Sequence, residues 1–376
     1  MVFVTRVCKK GERPRSRIFN ACWTIHLRIL IPLDNSSQYL SQLRSRNFHI
    51  LFEFIQVKTP KRQNDLAYLC AKIVESLSNR IKIGTRGSEL ALWQANFVKK
   101  QLEELDQEVE IKIIKTQGDQ IQHLSLEKLE GKGFFTSELE DALKKNEVDL
   151  AVHSMKDLPT ESADDLVIAG VSDREDPADW LIIHKSKVDR SQPLQIAADA
   201  VVGTSSNRRK SLLKHIRPDL VTKDIRGNVP GRVKKVLDHE VDGVVLAAAG
   251  LIRIKLDLSN YHVTKLHPRE FTPAPAQAVL AYQTNRSNSS LIDLIRKNLH
   301  SPDVAKRTNV ERKLLKLMGG GCHLPLGAYC EEDALGYYHL YSTFASSLAE
   351  PLLRVNLSYS TVDGLAEAVA AKYQQL

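Results

Sequence analysis

Short apolar runs alternate with amphipathic segments over two stretches of the chain. Between the first two runs, Leu90, Trp93 and Phe97 share one face of a helix that starts at Ser88. Strands that alternate with helices indicate α/β layers built on mostly parallel sheets. The apolar runs predict strands at residues 81–83, 109–115, 148–153 and 166–171, and again at residues 200–204, 221–225 and 243–247.

The pattern changes after about residue 302. A helix and three consecutive glycines are followed by alternating strands at residues 337–344 and 353–358, and then by a final helix. This order of elements predicts a smaller α+β domain at the end of the chain.

The net charge of +8 is carried by the start of the chain. Residues 1–80 hold 14 Lys and Arg against 5 Asp and Glu, so the other 296 residues hold 39 against 40. A protein that binds duplex nucleic acid more often has a basic body, and nucleic acid is therefore excluded as a partner. No apolar run approaches the roughly 18 residues that a membrane-spanning helix needs. The five cysteines are widely spaced and form no Cys-x-x-Cys pair, which indicates a reducing compartment without a disulfide framework or a zinc site.

The first 33 residues contain seven Lys and Arg and one acid, Glu12. This composition is typical of an organelle transit peptide, and it is equally typical of a segment translated from a misplaced start. We therefore expect a cytoplasmic protein, with a plastid or a mitochondrion as the alternative if residues 1–33 are a transit peptide. Residues 1–78 as a whole form a basic extension to which the sequence assigns no role.

Two strand-to-helix junctions have the same local sequence pattern. Residues 83–88 and 202–207 both run from a strand through Gly-Thr to a hydroxyl residue that opens a helix. Each junction offers backbone N–H groups and a hydroxyl cap, which suit an anion and also suit an ordinary helix start. If two such domains face each other, the cleft between them is lined by anion-binding helix ends.

Arginines gather at these junctions. Arg208 and Arg209 fall in the first turn of a helix, where a cation opposes the helix dipole unless an anion is shared. Arg226 follows a strand directly, Arg232 lies on the next helix, and Arg253 follows Ala-Gly-Leu. Because guanidinium forks bind carboxylates bidentately, the set predicts a ligand with several carboxylates.

Two further motifs carry chemistry. Lys156 and Asp157 close an apolar strand, a position that suits a catalytic or cation-stabilising carboxylate and also a structural ion pair. Cys322 follows three glycines, which leave its thiol without side-chain cover. A cysteine is by default a buried, inert residue, but the glycines favour an accessible and modified sulfur.

Taken together, these residues resemble one family, the porphobilinogen deaminases or hydroxymethylbilane synthases. The resemblance covers roughly residues 80–376, with the motifs in order and at compatible spacing. They are residues 83–95 (Ile-Gly-Thr-Arg-Gly-Ser-Glu-Leu-Ala-Leu-Trp-Gln-Ala), 131–135 (Gly-Lys-Gly-Phe-Phe), 151–159 around His-Ser-Met-Lys-Asp, 203–209 (Gly-Thr-Ser-Ser-Asn-Arg-Arg), 225–229 (Ile-Arg-Gly-Asn-Val) and 319–322 (Gly-Gly-Gly-Cys).

The resemblance implies a transferase of tetrapyrrole biosynthesis that joins four porphobilinogen molecules head to tail into hydroxymethylbilane and releases ammonia each time. It implies a dipyrromethane cofactor held by a thioether on Cys322, no metal, and Asp157 as the catalytic carboxylate, expected to be buried. It also implies a monomer that hands its product to uroporphyrinogen-III synthase. The groups implied to bind the pyrrole acetate and propionate side chains are Arg86, Ser88, Lys128, Lys132, Lys156, Thr204, Ser206, Arg208, Arg209, Arg226, Arg232, Arg253 and Gln277.

The expected fold class is α/β, with two periplasmic-binding-protein-like α/β domains around a cleft and a small C-terminal α+β domain. Domain 1 is expected at residues 80–172 plus 273–295, domain 2 at 173–270, and domain 3, with the cofactor cysteine, at 300–376. The alternative is a non-catalytic, two-domain carboxylate-binding protein built like a receptor, which would need neither Asp157 nor a glycine-flanked Cys322.

The sequence departs from the family pattern at two places. The family usually has Gly-Gln-Gly where this chain has Ala276, Gln277 and Ala278, and it usually has Thr where this chain has Gly231. The first change puts the approach of the backbone at Gln277 to a ligand in question. Neither change removes a charged site residue.

Overall fold

The computed structural model describes the backbone of residues 2–5 and 26–29, and residues 80–116, 136–161, 163–321 and 324–376. The chain divides into two compact units, Met1–Arg80 and Ile81–Leu376. In the first unit, strands β1 (Val2–Thr5) and β2 (His26–Ile29) pair antiparallel. The expectations for a transit peptide and for the rest of the extension otherwise fall outside the described residues.

The second unit opens with a βαβ arrangement. Its strands are β3 (Ile81–Thr85), β4 (Val109–Ile113), β5 (Leu150–Ser154) and β6 (Leu166–Val171). Helices α1 (Glu89–Glu103) and α2 (Ser137–Lys144) lie between them in the chain. Ser88 caps α1 as the sequence predicts, because its side chain accepts a hydrogen bond from the Ala91 N–H.

A second group of elements follows. Its strands are β7 (Asp179–His184), β8 (Val201–Gly203), β9 (Val221–Lys223), β10 (Gly243–Ala247) and β11 (Tyr261–Leu266). Its helices are α3 (Asn207–Ile216), α4 (Val229–Leu237) and α5 (Ala248–Arg253). Strand β12 (Leu280–Asn285) and helix α6 (Ser289–Asn298) come next.

These strands form two five-stranded sheets among the described residues. The first sheet has the order β4-β3-β5-β12-β6, so that β12 is inserted between two strands from the start of the unit. The second sheet has the order β11-β7-β10-β8-β9. In the first sheet β12 runs antiparallel to both of its neighbours, and in the second sheet β7 does. The other four strands of each sheet run in one direction, so the expectation of mostly parallel sheets is confirmed, with one reversed strand in each sheet.

The strand register explains the reversed directions. Residues 172–178 connect β6 to β7, and residues 267–279 connect β11 to β12; we call these two segments the crossings. Leu280 pairs with Ser154 at the end of β5, and Asp179 pairs with Ala247 at the end of β10. Each crossing therefore enters its new sheet at the edge where the parallel strands end, so the strand that follows must run back.

The two crossings are hydrogen-bonded to each other. The Glu175 N–H donates to the Ala278 carbonyl at 3.2 Å, and the Arg174 Nε donates to the Gln277 carbonyl at 3.1 Å. The Gln277 amide in turn donates to the Pro177 carbonyl at 2.8 Å. The carboxyl edges of both sheets are thus joined by a pair of adjacent segments.

The last part of the chain is an α+β structure. Strands β13 (Leu326–Glu332), β14 (Tyr338–Phe344) and β15 (Leu353–Tyr359) form an antiparallel sheet. Helices α7 (Pro302–Leu317) and α8 (Leu365–Gln375) contribute to the same apolar core, which includes Leu314, Leu340 and Val369. Together with the two α/β sheets, this part confirms the predicted α/β class with a smaller α+β part at the end of the chain.

A buried acid ties the α+β part to both crossings. Glu311 on α7 is fully buried and pairs with Arg174 through both carboxylate oxygens, at 2.6 and 3.1 Å. It also accepts the backbone N–H groups of Ala276 at 2.7 Å and Cys330 at 2.8 Å. Because breaking a buried pair of this kind costs about 3–5 kcal/mol, the position of α7 relative to the crossings is firmly set.

Apolar burial holds each α/β part together. In the first sheet Ile83, Leu150 and Tyr282 pack with Leu102 of α1 and Ile295 of α6 in one cluster. Each such side chain contributes about 1.5–3 kcal/mol when it is fully buried. Within the described ranges of residues 80–376, every helix falls short of the length and apolarity that a bilayer crossing requires.

Candidate active site

The two similar strand-to-helix junctions use their hydroxyls differently. Ser88 caps α1, and Thr85 at the end of β3 donates to the Ala91 carbonyl at 3.0 Å. At the second junction Thr204 is buried and accepts the Ser206 N–H at 3.3 Å. The Ser206 side chain makes no cap hydrogen bond to α3. The first junction is therefore capped by its own serine, whereas the second is not.

Arg208 and Arg209 lie in the first turn of α3, are buried, and share one carboxylate. Asp179, at the start of β7, is fully buried between them. Its two oxygens accept Arg208 Nη2 at 2.9 Å and Arg209 Nη2 at 2.6 Å. The Nη1 groups donate to the carbonyls of Thr272 at 2.8 Å and Val245 at 2.9 Å.

This cluster carries a net positive charge, with two arginines and one carboxylate. Burial alone would raise the pKa of Asp179, but the fields of Arg208 and Arg209 outweigh it and hold the pKa well below its usual range. The Nε atoms of both arginines are buried and have no hydrogen-bond partner among the described residues. A buried donor without an acceptor is costly, so this pair is suited to an additional anionic acceptor.

Gln277 and Lys156 connect this cluster to the first sheet. Gln277 is fully buried and donates to Asp179 at 2.9 Å, while its oxygen accepts Lys156 Nζ at 3.2 Å. Lys156 belongs to the single 3-10 turn, Met155–Asp157, that follows β5. Burial lowers the pKa of Lys156 to about 8, against the opposing effect of Asp157. Residues from both sheets thus form one hydrogen-bonded network.

Asp157 lies among the arginines of the second sheet but is exposed. The expectation of a buried carboxylate is wrong, because the Asp157 side chain is exposed at the end of its turn. Its field acts on Arg232, whose pKa is lowered to about 10 by burial and by the nearby charges of Arg209 and Arg226. These four charged groups are therefore close enough to interact. Arg232 is also held by its own Nε, which donates to the Gly227 carbonyl at 2.7 Å.

Arg253 contacts the crossing and α1. Its Nη2 donates to the Ala278 carbonyl at 2.7 Å, and its guanidinium lies 5.7 Å from the centre of the Trp93 ring. Burial lowers the pKa of Arg253. The geometry gives this arginine a clear part in joining the two sheets through cation–π and hydrogen-bond contacts.

The glycine run before Cys322 forms a turn that only glycine adopts readily. Gly319, Gly320 and Gly321 have φ values of 101°, 63° and 116°. Gly319 and Gly320 donate to the carbonyls of Lys316 and Leu315 at 3.2 and 2.8 Å, which is a Schellman motif at the end of α7. Cys322 itself lies outside the described residues, as do Lys128 and Lys132.

This turn is held beside the segment that follows Asp157. A Cβ placed on Gly320 would lie 3.3 Å from Thr160 Oγ1. One turn earlier, Lys316 pairs with Glu161 at 3.2 Å. Arg312 of α7 donates to the carbonyl of Met155 at 3.1 Å. The end of α7, five residues before Cys322, is therefore held against residues 155–161.

Ala276 and Ala278 keep the backbone conformation that glycine would adopt. Their φ values are 58° and 76°, and both residues are buried. The Ala276 N–H donates to Glu311, and the Ala278 carbonyl accepts from Arg253 and Glu175. The departure from the family pattern thus leaves the left-handed backbone on both sides of Gln277 in place.

We expect Ala278→Gly to destabilise the protein much less than Ala281→Gly, a matched change at a buried position of β12. Both variants lose one buried methyl group and gain chain freedom when unfolded. Only Ala278 gives up a left-handed conformation, which costs a non-glycine residue about 1–2 kcal/mol. Urea unfolding midpoints of the two variants and the parent would measure the difference, and equal losses would contradict the strain at Ala278.

The site as a whole defines a class of protein. Two α/β sheets present arginines, a lysine and a carboxylate near the two crossings, and an α+β part holds a glycine turn beside Thr160, three residues after that carboxylate. An α/β protein of this kind is suited to a small ligand with several carboxylates, held where strands end. The structure shows what the sequence reasoning missed, namely Asp179 and Glu311. An acid that opens an otherwise apolar strand was the signal for Asp179.

Comparison with known proteins identifies the family. The model of the family described as "Porphobilinogen deaminase, dipyromethane cofactor binding domain" matches residues 81–293. A porphobilinogen deaminase of Lachnospira eligens is 41% identical over 294 residues, which is 77% of this chain and 97% of that protein. One from Thermus thermophilus is 45% identical over 257 residues, covering 67% and 81% of the two chains. One from Clostridioides difficile is 43% identical over 267 residues, covering 69% and 86%.

This chain belongs to the porphobilinogen deaminase family. It is accordingly a transferase of tetrapyrrole biosynthesis with a dipyrromethane cofactor.

Proposed function

We propose that this chain joins four porphobilinogen molecules head to tail into hydroxymethylbilane and releases one ammonia at each step. The observation that carries the proposal is the cationic cluster of Arg208, Arg209 and Arg232 beside Asp157. Each porphobilinogen brings an acetate and a propionate, so a growing chain requires many cationic partners. The two unpartnered Nε atoms at Arg208 and Arg209 fit such carboxylates.

Asp157 is the group proposed to act on the reacting pyrrole. Its exposed carboxylate can accept the pyrrole N–H and stabilise the positive charge that develops when the aminomethyl nitrogen leaves as ammonia. Lys156 is protonated at pH values below about 8 and lies next to it. Lys156 is therefore proposed to bind a substrate carboxylate while Asp157 faces the ring nitrogen.

The residues present fit the cofactor of the family. When bound, dipyrromethane supplies the terminal pyrrole carbon to which the first substrate is joined. Cys322 is proposed to hold it as a thioether, because a thiolate is the side chain that forms a stable C–S bond with an electrophilic methylene. Support comes from the glycine turn, which is fixed beside Thr160 and therefore near Asp157. The arginine pair on α3 is proposed to neutralise the cofactor carboxylates.

The remaining site assignments are proposals of the same kind. Arg253 and Gln277 are supported mainly as residues that hold the crossing in place. Carboxylate binding is proposed for Arg86, Ser88, Lys128, Lys132, Lys156, Thr204, Ser206, Arg208, Arg209, Arg226, Arg232, Arg253 and Gln277.

We also propose the wider organisation of the protein. The domains are residues 80–172 with 273–295, residues 173–270 and residues 300–376, which places β12 with the first sheet and Glu311 in the third domain. The protein is proposed to be a cytoplasmic monomer that passes its product to uroporphyrinogen-III synthase.

The experiment that tests the function combines mass and turnover on the purified full chain. We expect an intact mass above that of the bare chain by two porphobilinogen units less two ammonia molecules. We also expect one ammonia per porphobilinogen consumed, with hydroxymethylbilane as the product. Binding of porphobilinogen without an adduct and without turnover would instead establish the receptor-like alternative.

A further inference from the structure

We infer that Asp179 is a positioning residue for the reaction: its carboxylate fixes Arg208 and Arg209 as a rigid pair and, through Gln277, sets the place of Lys156. This inference rests on the proposed function. Asp179 lies where the parallel strands of the second sheet end, opposite Ala247 of β10 and Leu266 of β11. It is an internal acid that acts through the residues proposed to bind the ligand.

The first argument is the use of each hydrogen-bonding group. Each of the two arginines gives Nη1 to a backbone carbonyl and Nη2 to Asp179. Two hydrogen bonds at different nitrogen atoms fix the plane of a guanidinium, so neither side chain is able to rotate. Nε is the guanidinium nitrogen of each arginine that has no hydrogen-bond partner among the described residues. The Nε edge of each guanidinium is therefore the edge best suited to a ligand carboxylate.

The second argument is charge. Arg208 and Arg209 are neighbours in the chain, are both buried, and would repel each other without an intervening anion. Asp179 compensates one of the two charges, so the pair keeps one net positive charge for a ligand. Without this acid the two guanidinium groups would separate or would take up a solvent anion in its place.

The third argument is the connection to the first sheet. The Gln277 amide donates to Asp179 Oδ1 at 2.9 Å, and this contact orients the amide so that its oxygen faces Lys156 Nζ at 3.2 Å. A change at Asp179 is thus transmitted to Lys156, the neighbour of Asp157. Asp179, a buried carboxylate of the second sheet, therefore positions cationic groups of both sheets.

The test compares Asp179→Asn with Asp219→Asn. Asp219 is a matched control because it also forms a two-point pair with a buried arginine, Arg217, in the same sheet region, where Nε donates to Oδ1 at 2.8 Å. Both variants are expected to lose stability. We expect only Asp179→Asn to raise the KM for porphobilinogen, by at least about tenfold, with a smaller change in kcat, because loss of uniform carboxylate binding acts on KM.

The measurements are the unfolding midpoint, the adduct fraction by intact mass, and KM and kcat for the adduct-bearing protein. A folded Asp179→Asn protein that has lost its adduct also supports the inference if Asp219→Asn keeps its adduct. Asp179→Asn with the KM and the adduct of the parent would overturn it, as would equal changes in the Asp219→Asn variant.

Asp179→Glu covers the case in which the Asn variant does not fold. The glutamate retains the charge but displaces the carboxylate, so we expect a folded protein with a KM for porphobilinogen above that of the parent. A KM equal to that of the parent would contradict the requirement for position. Absence of turnover in the parent itself would instead reject the proposed function.

Discussion

Asp157→Asn is expected to lower kcat for porphobilinogen by at least about 100-fold, while the fold and the adduct mass are retained. The amide has the size of the carboxylate but no charge, so it cannot balance the positive charge that develops as ammonia leaves. Removal of one well-placed electrostatic group at a reacting centre costs about 2.7–4 kcal/mol of transition-state stabilisation. Because Asp157 is exposed, the substitution leaves no buried group without a partner.

The measurement is steady-state release of ammonia, normalised to the adduct-bearing fraction. Asp164→Asn is the matched control, since Asp164 is also an exposed acid of the first sheet region and lies outside the proposed site. Its kcat should equal that of the parent. Activity of the Asp157→Asn variant within about threefold of the parent would show that the carboxylate forms only a structural pair with Lys156.

Cys322→Ser is expected to abolish the adduct and with it nearly all activity. A serine hydroxyl is a far weaker nucleophile than a thiolate, so it does not form the stable bond that retains the cofactor. Intact mass is the direct readout, because the parent should be heavier than its sequence mass and the variant should match it. The colour reaction of pyrroles with an aldehyde reagent should be lost in parallel.

Cys330→Ala provides the control for this result. Cys330 is fully buried in β13, and burial, reinforced by the charge of Glu311, raises the pKa of its thiol to about 12. This thiol therefore stays protonated at neutral pH and is not a nucleophile. The Cys330→Ala variant should keep the adduct mass. An adduct that disappears with Cys330 and persists without Cys322 would reverse the assignment of the cofactor residue.

Local sequence patterns were sufficient for the strands whose apolar residues are continuous. The predicted strands at residues 166–171 and 243–247 have the observed bounds, because these segments are buried over most of their length. Strand β11, in contrast, is half-buried along most of its length and carries polar residues on both faces. Its pattern differs little from that of a loop, and its place beside β7 depends on pairing with residues about 80 positions away.

The candidate site shows the same limit. The types and positions of Arg208 and Arg209 predict an anion-binding pair, and the structure brings them together with Lys156 and Gln277. Both guanidinium groups already form hydrogen bonds with an acid of the chain itself. These bonds are tertiary contacts between residues about 30 positions apart. The sequence shows an acid at the start of an apolar strand, but only the fold shows that this acid, Asp179, pairs with both arginines.

The paired crossings have a mechanical consequence. The two crossings lie side by side and are hydrogen-bonded to each other. Such a pair permits the two sheets to bend about the line that joins the crossings, and it resists sliding and twisting of one sheet against the other. The pair of Glu311 and Arg174 attaches the α+β part to the same two crossings. Any opening between the two α/β sheets is therefore expected to follow a single angular coordinate, with the α+β part held at the pivot.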